Sequence, residues 1–134
     1  MESKELRIGN FVYIPKTKQE AEISLITEAN IVGVNKDLIG LGSLKIDELE
    51  AIPLSDEWLW ALGAEINYKT YIYDRFKLIW KEAYRYWYVV DKESLTYLTK
   101  VESVHEWQNF VFAMNSTDLE LREKIKEKYK EEQA

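Results

Sequence analysis

The sequence predicts an α+β fold: a β-rich N-terminal half, then a short helix, an antiparallel β-meander, a packing helix and a charged helical tail. Three observations carry it. Short β-prone segments separated by Gly, Asn and Asp fill residues 6–52. Residues 68–98 alternate with a period of two. Helix-start signals at Ser55 and Ser103 stand on either side of that alternating stretch.

The first half reads as a small curved sheet or SH3-like barrel. Gly9-Asn10 turns the chain into Phe11-Val12-Tyr13-Ile14, which stops at Pro15. Ala21–Ile26 follows a polar stretch, with Ile23 on one face and Leu25 on the other among polar residues. Ile31–Val34, Leu38–Leu41 and Leu44–Ile46 complete a run of short strands at close spacing, the pattern of a barrel or strongly bent sheet.

At the first helix Ser55 is a good N-cap, and Asp56 and Glu57 place negative charge where the helix dipole favours it. Leu54 and Leu59 have the spacing of a hydrophobic staple, and Gly63 ends the helix with Leu59 and Leu62 inward. In the meander, Tyr71 and Tyr73 share a face, as do Phe76, Leu78 and Trp80. Tyr84, Tyr86, Tyr88 and Val90 then alternate with Arg85, Trp87 and Val89, with turns at Asp74-Arg75, Lys81-Glu82 and Asp91–Ser94. Both faces of that third strand are apolar or aromatic, which predicts a central strand covered on both sides. Ser103-Val104-His105-Glu106 is a capping box opening a helix to about Met114, with Val104, Trp107, Val111 and Met114 on the stripe laid across the meander. Thr117–Glu120 offers a second box leading into the tail, with a strand at Leu119–Leu121 as the competing reading. The 134 residues fit one domain, 1–121, with a possible seam near 51–54 and a helical tail over 122–134.

Composition narrows the function classes. The chain has no cysteine and one histidine, His105, so thiolate chemistry and disulfides are excluded. A single imidazole in the first turn of a helix suits a structural role, and no Gly-x-Ser-x-Gly elbow accompanies it. The glycines fit neither a phosphate loop nor a dinucleotide fingerprint, and Asp74, Glu82, Asp91 and Glu93 lack the Asp-x-Asp spacing of a hard-cation loop. We therefore expect a non-enzymatic protein without cofactor or metal. The N-terminus is charged and no apolar run reaches the roughly 18 residues of a membrane span, so we expect a cytoplasmic protein with no membrane partner.

The net charge of −6 argues against duplex DNA, whose affinity comes mainly from neutralised phosphates. The charge is uneven. Residues 65–100 carry seven basic and five acidic side chains, whereas residues 1–64 carry six and eleven. The positive section is also the aromatic one: twelve of eighteen aromatic residues lie between Trp58 and Tyr97. Such a block either fills a two-sided core or presents rings and cations to a partner. On the second reading Tyr71, Tyr73, Lys77, Arg85 and Trp87 are the candidate binding residues, for a protein partner or, alternatively, for single-stranded nucleic acid or glycan stacked on the rings.

Three stretches carry a family resemblance: Leu6-Arg7-Ile8-Gly9-Asn10, Ile52–Leu59 with Leu62-Gly63, and Val104–Asn109 followed by Phe112-Ala113. In order and spacing they resemble a family of small uncharacterised proteins from prophages and mobile elements of gut bacteria. The resemblance spans roughly residues 6–121 and brings no activity with it. It implies that His105, Gln108 and Asn109 belong to the family pattern. These three are either a buried hydrogen-bond network, tied to the meander or to the chain near Leu6–Asn10, or a recognition edge beside the aromatic residues. The oligomeric state and the partner are left open.

Overall fold

Gly9, at φ +97°, bends the chain into the first strand, and Asn10 locks the bend by accepting the Arg7 amide on its side-chain oxygen at 2.6 Å. The computed structural model describes residues 6–26, 31–34 and 44–122, with backbone alone at 31–34. The expected strand at Leu38–Leu41 and the helical tail from 123 lie outside the described residues. The chain divides into two units, the first made of the chain to Pro53 with Ser103–Asp118, the second of Leu54–Glu102 with the chain from Leu119.

In the first unit, β1 (Phe11–Ile14), β2 (Gln19–Ile26), β3 (Ile31–Val34) and β4 (Leu44–Lys45) form an antiparallel sheet in sequence order. A register shift between Ile23 and Leu25 sets Ile23 in the core and leaves Leu25 exposed, the two-face split expected from the sequence. After a 3-10 turn at Ile46–Glu48 the chain returns to β1, where Tyr13 and Glu50 exchange backbone hydrogen bonds of 2.9 and 2.8 Å. β1 is thus paired on both edges. The core here gathers Leu6, Val12, Ile14, Ala21, Ile23, Leu44, Ile46 and Leu49.

Helix α2 (Val104–Asn115) belongs to this unit and packs on β1. What draws it to β1 is polar: Gln108 and Asn109 bond the chain at Gly9–Phe11. The buried arc of α2 runs from Trp107 through Val104 to His105 and Gln108 rather than along the apolar stripe alone. That rotation puts Met114 at the margin, where it is exposed, and corrects its assignment to the core.

In the second unit, α1 (Asp56–Ala61) is capped by Ser55, whose hydroxyl accepts the Trp58 amide at 3.3 Å, and it buries Leu59 and Leu62. Gly63, at φ +101°, turns the chain out of the helix. Arg122 finishes the other side of this helix end. Its backbone amide donates to the Ala61 carbonyl, and its guanidinium to the Trp60 and Ala64 carbonyls and the Glu65 carboxylate. Residues 117–122 form neither the expected helix start nor the competing strand; Asp118 is taken by Arg7, and Arg122 by the end of α1.

The meander has five strands: β5 (Glu65–Asn67), β6 (Thr70–Tyr73), β7 (Phe76–Lys81), β8 (Tyr86–Asp91) and β9 (Tyr97–Val101), in that order. Strand β5 and its turn were missed in the sequence, since the turn residues Tyr68 and Lys69 are not turn formers. Both nonetheless adopt positive φ, 50° and 68°, between the paired Asn67 and Thr70, as a type I′ hairpin requires. The last turn is better coded: Asp91 accepts the amides of Glu93 and Ser94 on one carboxylate oxygen, at 3.0 and 2.9 Å. Those hydrogen bonds, first Ser94 and then Glu93, hold the Asp91 carboxyl below its usual range.

Candidate functional site

Strand register sorts the meander's side chains into two faces. Tyr71, Phe76, Leu78, Trp87, Val89 and Val101 lie on one face and are buried. Trp87 anchors it. Its indole N–H donates to the Leu54 carbonyl at 3.0 Å, and its ring meets Tyr71 edge-on at 5.9 Å. Of the candidate binding residues, Tyr71 and Trp87 are therefore core, 8% and 4% exposed, and we correct their assignment to an open surface. Burial, with Asp56 second, pushes the Tyr71 hydroxyl pKa up. Tyr73 is half-buried on this face, its pKa raised by burial and then by Asp74 and Glu120.

The opposite face carries Lys77, Ile79 and Lys81 from β7, Tyr86, Tyr88 and Val90 from β8, and Lys100 from β9. The expectation that β8 is covered on both sides is corrected here, for Tyr86 and Tyr88 keep part of their surface. Tyr84, in the β7–β8 turn, extends the row at one end and Tyr97 closes it at the other, 66% and 55% exposed. The rings form a file. Tyr84 stacks on Tyr86 at 5.6 Å and 12°, Tyr86 and Tyr88 meet at a tilt, 5.1 Å and 32°, and Tyr88 meets Tyr97 edge-on at 5.3 Å. The Lys81 ammonium stands 5.1 Å from the Tyr88 ring centre and that of Lys100 4.8 Å from Tyr86. The Tyr86 hydroxyl donates to that of Tyr88 at 3.2 Å. This bond, ahead of partial burial and the neighbouring tyrosines, pushes the Tyr86 pKa up to about 12.

The inner rings, Tyr86 and Tyr88, are engaged by neighbouring rings and ammonium groups, while Tyr84 and Tyr97 stand more open at the ends of the file. Lys77 lies on this face. Arg85 is exposed in the adjoining turn, at φ 56°. Lys81 belongs with Lys77 and Arg85 to the cations that the binding reading calls on; Tyr84, Tyr86, Tyr88, Tyr97 and Lys100 are not singled out by it, although the alternation of Tyr84-x-Tyr86-x-Tyr88 with Trp87 and Val89 already separates the tyrosines from the core set.

The second candidate group lies in the first unit and is structural in its contacts. Gln108 is buried, accepts the Phe11 amide at 2.9 Å and donates to the Gly9 carbonyl at 2.9 Å. The Asn109 carbonyl oxygen accepts from Asn10 at 2.8 Å and from Arg7 at 3.1 Å. Arg7 in turn bonds Asp118 at 2.6 Å and stacks over Phe112 at 3.7 Å. These are the hydrogen bonds to the Leu6–Asn10 chain that the structural alternative called for. His105 is buried, with Nδ1 3.2 Å from the Ser103 hydroxyl. The same hydroxyl accepts the Glu106 amide at 3.3 Å and donates to its carboxylate at 2.8 Å, so Ser103 is fully engaged as a helix cap. Glu106 reaches the serine hydroxyl rather than the backbone amide of an ordinary capping box.

Among the described residues no group of three or more His, Asp or Glu side chains is placed to hold a metal ion. Among them, too, no helix is long and apolar enough to cross a membrane. No protein-family model matches the sequence, and no curated protein or solved structure matches it.

Proposed function

We propose that this is a non-enzymatic interaction protein, an adaptor of mobile-element type, that binds another protein through the tyrosine–lysine face of β7, β8 and β9. The observation that carries the reading is the sorting of the rings. One face of the meander is closed around Trp87, while the other keeps four tyrosines in file at its surface. A core has no use for that second set. Tyrosine offers a large amphipathic contact area at little entropic cost, which is why it is enriched at protein interfaces. Here the rings already brace one another, so little freedom remains to be lost on binding.

The alternative, a platform for single-stranded nucleic acid, needs open ring faces on which bases can stack. Within the file Tyr86 and Tyr88 have faces against neighbouring rings and ammonium groups, which leaves Tyr84 and Tyr97 at its ends as the rings more open to a base. A photo-crosslinking amino acid placed at Tyr84, with Lys16 in the first unit as the control site, tests the choice in cells. The proposal expects protein adducts from position 84 and none from position 16. Adducts to nucleic acid, or equal yields from both positions, would refute it.

A further inference from the structure

We infer that the partner segment bound by this face is acidic and extended, with carboxylates four residues apart; this rests on the protein-contact reading above. Lys77, Lys81 and Lys100 all lie on the face of the tyrosine file, and their strand neighbours there are Ile72, Ile79, Tyr86, Tyr88 and Val90. No carboxylate is among them. Three cations thus share one sheet face in a chain with 24 acidic and 18 basic residues. The ammonium groups of Lys81 and Lys100 find rings rather than carboxylates beneath them. A ring quadrupole holds a cation in place without neutralising it, so its charge stays available to an anion above.

The hydroxyls add direction. With Tyr86 donating to Tyr88, the Tyr88 hydroxyl proton is left to point at an acceptor on the ligand. Tyr86, with its pKa near 12, stays neutral and keeps that orientation at any physiological pH. Spacing sets the ligand's form. Lys77 and Lys81 are four residues apart on one strand, about 13 Å, the separation of side chains i and i+4 in an extended peptide. Lys100 lies two strands over, on the far side of β8. An extended segment lying along β7 and β8 can therefore place one carboxylate at each end of the file and its intervening backbone over the ring edges. A carboxylate or a phosphate alike meets a lysine as a point charge, and the protein-contact reading makes that anion a carboxylate. This face offers lysines singly.

The test uses the full chain and a synthetic alternating Glu-Gly peptide, fluorescently labelled, with its Gln-Gly counterpart and a single-stranded oligonucleotide beside it. The Glu-Gly peptide should bind, more weakly as salt is raised, and the Gln-Gly peptide and the oligonucleotide should not. Lys81→Gln with Lys100→Gln should weaken binding about tenfold, the loss of two exposed charge contacts. Lys16→Gln with Lys18→Gln, at exposed positions of the β1–β2 turn, should leave it unchanged. Equal binding by both lysine pairs, binding of the Gln-Gly peptide, or preference for the oligonucleotide would overturn the inference. So would self-association of the chain that the Lys81→Gln and Lys100→Gln changes abolish, since the occupant would then be a second copy. Should the peptide fail while position 84 still crosslinks to protein, the protein-contact reading stands and only the acidic partner falls.

Discussion

Replacing Gln108 with leucine isolates what two hydrogen bonds contribute to the first unit. Leucine nearly fills the amide's space, so the change removes polar partners without opening a large cavity. It strands the Phe11 amide, at a buried residue, and the Gly9 carbonyl, at a half-buried one. A buried polar group left unpaired costs about 1–3 kcal/mol; counting the amide in full and the carbonyl at the low end gives about 2–4 kcal/mol. Urea unfolding should show that loss, and hydrogen exchange at the Phe11 amide should speed up with it. Gln108→Glu sharpens the test through pH. The neutral carboxyl keeps both bonds, accepting from Phe11 and donating to Gly9, while the ionised form sets a negative charge against the Gly9 carbonyl. Its folded-state pKa must therefore lie above the unfolded value of about 4.3. Stability is then close to wild type below that value and is lost as pH rises through the raised one. A leucine variant within about 0.5 kcal/mol of wild type, or a glutamate variant with no such pH dependence, would refute the role assigned to Gln108, since surface substitutions stay in that range.

Tyr88→Phe removes the acceptor of the Tyr86 hydroxyl, so ultraviolet titration should show one tyrosine moving from about 12 towards its ordinary 10. In the wild type the raised value favours the neutral ring, so this bond's stabilisation is intact below pH 10 and is lost as pH rises towards 12. Tyr68→Asn with Lys69→Gly gives the β5–β6 turn residues suited to positive φ, and thermal melts should show a gain of about 1 kcal/mol. Ser103→Ala takes the cap from the Glu106 amide at the start of α2 and should cost about 1 kcal/mol in chemical denaturation.

Most of the local structure was legible because it is locally coded. The caps at Ser55 and Ser103, the stop at Gly63 and the period-two alternation of Phe76–Val90 each depend on residues close in sequence. The β5 hairpin was not, because Tyr68 and Lys69 occupy backbone regions their residue types disfavour. The seating of α2 on β1 was missed for a different reason. It is fixed by contacts a hundred residues apart in sequence, between Gln108 or Asn109 and the chain at Gly9–Phe11, and an apolar stripe alone does not reveal them. For the candidate site, alternation already separated the Tyr84–Tyr88 row from Trp87. What it could not give was which face is closed, since both carry aromatic rings. Trp87 settles that through the Leu54 carbonyl, a partner 33 residues away in sequence.

Hydroxyl-radical footprinting of the chain, purified and in the cells that carry it, tests the central claim most directly. In the purified protein Tyr84 and Tyr97 should react quickly and Trp87 and Tyr71 slowly, following their exposure. In cells, a bound partner should protect Tyr84, Tyr97 and the Tyr86–Tyr88 pair, while Tyr68, 96% exposed at the β5–β6 turn, should react as before. Equal reaction of Tyr84 and Tyr97 in the two settings, or fast oxidation of Trp87 in the purified chain, would contradict the account.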